Sequence, residues 1–226
     1  MTALYWLRND LRLEDNQILE KFSQEKEGIF LTIDSRSFKR SQVKRKDFFE
    51  SELGHLAFEL EDYEQKIFHS KEPLLFTLEK IHAYSPIKRI YFSNEYATEE
   101  KEDENQLIHF CLHHQIKIVS DYQQTLIHVN DLPFSSPSEL PFIFTEFRKK
   151  VESNLIIRKE LSSPLLLPKL YDISSLYPSI EAKPKVETGL NRIKYYFFDT
   201  HKVKEYKHTR NGLIHYDDST KVDRKD

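Results

Sequence analysis

Glycine is scarce in this 226-residue chain, which has only Gly28, Gly54, Gly189 and Gly212. A dinucleotide fingerprint or a P-loop needs glycines clustered between a strand and a helix, so that backbone can approach phosphate. No such cluster exists, which argues against a conventional dehydrogenase, a P-loop NTPase or an ordinary adenine-nucleotide domain. One cysteine, Cys111, cannot close an internal disulfide and suits a reducing cytosol. No apolar run approaches the roughly 18 residues needed to cross a bilayer. No charged segment leads into an apolar one as in a signal peptide. The expectation is a cytoplasmic protein with no membrane partner. Lys+Arg total 34 against 37 Asp+Glu, so no global charge draws the chain to nucleic acid.

What is present is alternation. Five short runs rich in β-formers recur: Leu4–Leu7, Ile29–Ile33, Ile67–His69, Ile90–Phe92 and Ile116–Val119. Helix-compatible stretches separate most of them. Ile18, Leu19 and Phe22 have helical spacing behind Asp15 as an expected N-cap. Phe48, Phe49, Leu53, Leu56, Leu60 and Tyr63 mark a long amphipathic helix. "PLLFTLEKIHAY" and "TEEKEDENQLIHFCLHHQ" follow, with Pro73 in the first turn of one and Thr98 as the expected cap of the other. Strand–helix alternation implies right-handed crossovers and a parallel sheet covered on both faces. The predicted fold is α/β: a five-stranded, Rossmann-like parallel sheet of order 3-2-1-4-5.

This domain is expected over residues 1–134. Residues 135–186 are proline-rich and read as a linker with one helix, "FIFTEFRKKVESN". Residues 187–226 read as two short helices with aromatic faces and a polar tail. The basic "KRSQVKRK" at 39–46 and acidic "EEKEDE" at 99–104 read as solvated faces and loops, or alternatively as weak steering of a polyanion.

In such sheets ligands bind outside the carboxyl ends of the strands, where strand order reverses. The predicted order puts Arg8-Asn9-Asp10 and Ser93-Asn94-Glu95 on either side of that point, with Asp34-Ser35-Arg36 next door. Asn9, Asp10, Asp34, Arg36 and Glu95 are therefore the candidate site. Hydrogen-bonding groups without a glycine cradle suit a planar heterocycle better than a pyrophosphate. The Glu95 carboxylate could accept two N–H bonds from an amino-pyrimidinone edge. The competing reading has Arg8, Asp10 and Arg12 pairing with one another or capping the first helix. No catalytic residue is assigned. His109, Cys111, His113 and His114 lack an identifiable third metal ligand, so no metal site is expected. Cys111 reads as core.

"LYWLRNDLRLEDN" resembles the opening of the photolyase/cryptochrome family. "TIDSRSF", "SNEYATEE", "TLIHVNDLPF", "FTEFRKKVES" and "YKHTRNGL" follow in matching order, the last two resembling the DASH branch. The resemblance implies an α/β domain that can hold an antenna chromophore, commonly methenyl-tetrahydrofolate in that branch, with Glu95 at the position that contacts the pterin. It also implies a linker and a larger helical domain. There folded FAD takes up the antenna's energy, and the reduced flavin repairs a cyclobutane pyrimidine dimer in DNA, single-stranded for this branch.

The chain departs from that pattern after "YKHTRNGL". Ser219, Thr220 and Lys221 remain as vestigial FAD-phosphate positions, but His215, Asp218 and Val222-Asp223-Arg224 replace the family's glycine, tyrosine and Phe-Ser-Pro. Carboxylates beside a phosphate site repel a diphosphate. The expectation is a shortened relative or fragment that binds no FAD and repairs no DNA by itself. Its aromatic 187–226 segment is expected to self-associate, or to join a separately encoded helical domain. Weak nucleic-acid contact is the other reading of that segment. A non-catalytic interaction module is the second hypothesis for the whole chain.

Overall fold

The structure is a computed structural model that describes residues 2–34, 38, 40–184, 189–200 and 202–205. The elements of the sheet follow in order: β1 (Thr2–Leu7), α1 (Gln17–Ser23), β2 (Glu27–Ile33), α2 (Val43–Glu61), β3 (Ile67–Ser70), α3 (Leu74–Tyr84), β4 (Ile87–Ser93), α4 (Thr98–His113) and β5 (Lys117–Asp121). All strand pairs along the path β3-β2-β1-β4-β5 are parallel. The order matches the sequence expectation, and it places the reversal between β1 and β4.

β1 is buried along its whole length because both sheet faces are covered. Leu4 and Trp6 point to one face, where α3 and α4 contribute Leu78, Ile81, Leu107 and Phe110. Ala3, Tyr5 and Leu7 point to the other, against Ile18, Leu19 and Phe22 of α1 and Leu53, Leu56 and Leu60 of α2. This period-two division puts Arg8, the first residue beyond β1, on the Trp6 face, and past it the strand alternation no longer holds.

Two helix caps differ from expectation. Asn16, not Asp15, caps α1, its side chain accepting the Leu19 N–H at 2.9 Å. Asp15 has φ 48°, in the left-handed region, so it cannot take the extended cap conformation. α4 starts at Thr98 itself, with Ala97 at the cap and no side-chain cap bond. Glu99 and Glu100 in its first turn meet the positive end of the helix dipole and stabilise the start of the helix instead.

Residues 135–183 lie in the same compact unit as the sheet, the chain dividing into units 1–183 and 184–226. In the first unit α5 (Phe144–Ser153) precedes β6 (Lys169–Leu170), which pairs with the start of β2. Further on, His69 N–H donates to the Pro178 carbonyl at 2.9 Å, and Ile180 N–H to that of Ile67 at 2.8 Å. The outer edge of β3 is thereby covered, which removes an exposed edge from the sheet. In the second unit α6 (Gly189–Lys194) runs into a π-helical turn, Tyr195–Asp199, and a 3-10 turn, Lys202–Glu205. Among the described residues no helix is long and apolar enough to cross a membrane.

Gly28 packs directly under the Phe22 ring, so an added Cβ would collide with it. Phe22 also meets the rings of Tyr5, Phe30 and Tyr91 edge-on, and cannot give way. Gly28→Ala is expected to lower stability by about 1–3 kcal/mol, measured as a reduced urea midpoint with unchanged slope.

Candidate functional site

The carboxyl end of β1 sends consecutive residues to different places. Arg8 continues the Trp6 face, its guanidinium 4.5 Å from the Trp6 ring centroid. It is buried, and it donates to Glu104 Oε1 at 2.6 Å and to the carbonyls of Ser93 and Glu100 at 3.2 Å each. Its Nε lies 3.6 Å from Glu95 Oε1. Asn9 is exposed, and its Nδ2 donates to the same Glu95 oxygen at 2.8 Å. Gln124 Nε2 adds a longer bond of 3.3 Å to it. The Glu95 backbone N–H donates to Glu104 Oε1 at 2.8 Å. Backbone and side chain of Glu95 are both anchored, and the donors recorded on its carboxylate converge on Oε1.

A cleft opens here, at the carboxyl ends of β1, β2 and β4. Trp6, Leu7, Arg8 and Asn9 line it from β1, Thr32 and Ile33 from β2, and Glu95, Glu100 and Asp103 from the β4–α4 side. Phe38, Arg45 and Phe49 complete the lining, the two rings 5.3 Å apart. The enclosed space is about 50 Å³. That holds a few waters, whereas ligand sites usually begin near about 300 Å³. As it stands, the cleft admits the edge of a planar ring, and a whole ring requires its walls to part.

Of the five residues expected to share a crevice, the structure brings Asn9 and Glu95 together. Asp10 goes elsewhere: it is buried on the Tyr5 side, where its Oδ2 accepts from Tyr5 Oη at 3.0 Å and Gln123 Nε2 at 2.9 Å. Gln123 also donates to the cap residue Asn16 at 2.8 Å, so Asp10 buttresses the start of α1 against the chain after β5. Burial pushes the Asp10 carboxyl above the ordinary range, bonds from Tyr5 and Gln123 opposing this, and Oδ1 has no partner. Asp34 does not line the cleft; its Oδ1 lies 2.7 Å from His69 Nε2. Arg36, Ser219, Thr220 and Lys221 lie outside the described residues. The alternative of Arg8, Asp10 and Arg12 pairing together is not what forms, since Arg12 donates to the carbonyls of Asp15 and Gln123.

Sequence reasoning missed Phe38, Arg45, Glu100, Asp103 and the buried Glu104. Phe49 was legible only as an apolar helix position. Glu104 ends the acidic run read as a solvated face, yet it is buried, receiving Lys101 Nζ at 2.6 Å as well as Arg8. The available signal was its place three residues before Leu107 and seven before Cys111, on the stripe that α4 turns to the sheet. Burial pushes the Cys111 thiol up to about 12, as suits a core residue rather than a nucleophile. Among the described residues no group of three or more His, Cys, Asp or Glu side chains could hold a metal.

Residues 3–166 match the family model described as DNA photolyase. Cryptochrome DASH of Danio rerio is 29% identical, the match spanning 97% of this chain and 48% of that protein. Cryptochrome DASH of Synechocystis sp. is 30% identical, over 97% and 50% respectively. The crystal structure of a Synechocystis sp. cryptochrome aligns with TM-score 0.77 and 26% identity, covering 94% of this chain and 49% of that one. The archaeal photolyase from Sulfolobus tokodaii, solved with two FAD molecules, aligns with TM-score 0.56 at 20% identity over 80% and 40%, a likeness of fold. The chain spans about half the length of the relatives it matches.

Asp10 supplies a pH test. A carboxyl whose folded pKa is raised leaves stability intact while it is protonated in both states, and costs stability as pH rises through the folded value. Asp10→Asn removes that loss. Its stability relative to the parent is expected to improve as pH rises above the unfolded carboxyl value of about 4, in urea titrations at each pH, until the buried carboxyl ionises in the fold. A difference that does not change with pH would contradict the placement of Asp10.

Proposed function

Because this chain belongs to the DNA photolyase family, and within it to the DASH type, we propose that its α/β unit binds a planar antenna chromophore, a methenyl-tetrahydrofolate, at the cleft between β1 and β4. The observation that carries this reading is the convergence of Asn9 and Glu95, from separate loops, on a cleft walled by Phe38 and Phe49. The donor set fits the group. A pterin presents a flat face to aromatic rings and N–H donors at its amino-pyrimidinone edge, which a carboxylate accepts with charge-assisted strength. Two donors already occupy Glu95 Oε1. A ligand engaging both oxygens therefore displaces the long Gln124 bond, and one engaging Oε2 alone leaves the network whole. When bound, the chromophore absorbs light and passes excitation to a flavin. The chain's part is to orient the ring and exclude water from its polar edge.

In this proposal the 226-residue polypeptide alone holds no FAD and does not split pyrimidine dimers. The support is chemical and lies in the sequence: the carboxylates Asp217, Asp218 and Asp223 stand within a few positions of Ser219, Thr220 and Lys221, whereas a diphosphate needs neutral or positive neighbours. The proposed compartment is the cytoplasm, in keeping with a single, buried cysteine.

A second reading concerns the unit after residue 183. Ile193 and Phe198 are more than half exposed there, which favours self-association, or union with a separately encoded helical domain, through 187–226. Light scattering on the purified chain tests it. A strictly monomeric protein across the micromolar range contradicts the self-associating form.

An absorption titration tests the chromophore. The chain is expected to take up 5,10-methenyltetrahydrofolate with a shift in its absorption band, and to show no flavin band after incubation with FAD. Glu95→Gln should weaken the folate by about tenfold to a hundredfold. Wild-type affinity in that variant would remove Glu95 from the site.

A further inference from the structure

Glu104 is a carboxylate on the buried stripe of α4, where an aliphatic side chain would serve packing. Neither of its oxygens is spare. Oε1 receives Arg8 Nη1 at 2.6 Å and the Glu95 N–H at 2.8 Å, and Oε2 receives Lys101 Nζ at 2.6 Å. It does not line the cleft, so it acts on whatever enters only through its neighbours.

Those neighbours are set at unequal distances. Arg8 is one buried cation between two buried carboxylates, 2.6 Å from Glu104 and 3.6 Å from Glu95. The shorter contact is a full charge-assisted hydrogen bond, and the longer is attraction without one. A buried cation whose partner is removed seeks the nearest remaining anion, since an unpaired buried charge costs more than the rearrangement. Without the Glu104 charge, that anion is Glu95, at the edge of the cleft. We infer that Glu104 is a positioning residue: by holding Arg8 and the Glu95 N–H, it keeps the guanidinium from closing on the Glu95 carboxylate and leaves that carboxylate to a ligand's N–H donors.

The inference rests on the reading of Glu95 as a ligand contact, and the test separates the two. Glu104→Gln keeps the shape and an acceptor for the Glu95 N–H but removes the charge. On the full chain it should weaken 5,10-methenyltetrahydrofolate about tenfold or more, because Arg8 now occupies the carboxylate. The double variant R8Q/E104Q loses a residue that lines the cleft and stays weaker than the parent, but it should bind more tightly than E104Q alone, because no guanidinium is left to close on Glu95. A merely structural role would instead make the double variant no better than the single one, and that result overturns the proposal, as does unchanged affinity in E104Q. A crystal structure of E104Q decides the matter without ligand. Arg8 in direct hydrogen-bond contact with the Glu95 carboxylate supports the inference, and Arg8 still seated beside residue 104 refutes it. If the parent chain takes up no folate, the reading of the cleft fails while the Arg8 arrangement is still decided by that structure.

Discussion

The arrangement at the mouth of the sheet depends on one buried cation. Arg8 leaves β1 on the face already occupied by Trp6 and α4, so its charge cannot reach bulk water and must be answered inside. Glu104 and Glu95 answer it, with the Ser93 and Glu100 carbonyls filling remaining donors. A buried ion cluster of this kind gives little net stability, because desolvation of the charges offsets most of their attraction. Its effect is geometric. It ties the ends of β1 and β4 to α4, and so holds the switch point of the sheet in one shape.

The residues just beyond β1 then serve different ends. Arg8 and Asn9 border a cleft whose lining draws on both faces of the sheet, Trp6 from one and Leu7 and Phe49 from the other. On the Tyr5 side Asp10, Asn16 and Gln123 form a closed network that anchors α1 and the chain after β5. Residues 8 and 10 are both charged and only two apart, yet one borders the cleft and the other is enclosed. Each side chain has its own set of side-chain partners, Glu95 and Glu104 for Arg8 and Tyr5 and Gln123 for Asp10. The segment after β5 follows the same economy of edges. It returns to lay β6 beside β2 and residues 178–180 along β3, so that segment belongs to the sheet's own unit.

Much of this was legible in advance. Five apolar runs of strand length, separated by helical periodicity, determine a parallel α/β sheet because only that architecture buries such strands on both faces. The rule that ligands meet the carboxyl ends of strands at a switch point then singles out the Asn9 and Glu95 loops. The misreadings have a common cause. Asp15 has the right residue type for a cap but a left-handed backbone. Asp10 and Asp34 lie in the expected loops, but their side chains are taken by Tyr5, Gln123 and His69.

By itself, the chain's order of residues determined the strands, the helices between them and hence a parallel α/β sheet, because these follow from periodicity and the handedness of crossovers, which are properties of short segments. The order 3-2-1-4-5 is one of several such a sheet can take, and it is what brings the Asn9 and Glu95 loops together. Only the folded structure decided which polar groups face the cleft, that Phe38 and Phe49 wall it, and that Glu104 is buried within an acidic run. Those outcomes turn on long-range partners, since a charge is placed by whatever neutralises it, and Arg8 is 96 positions from Glu104.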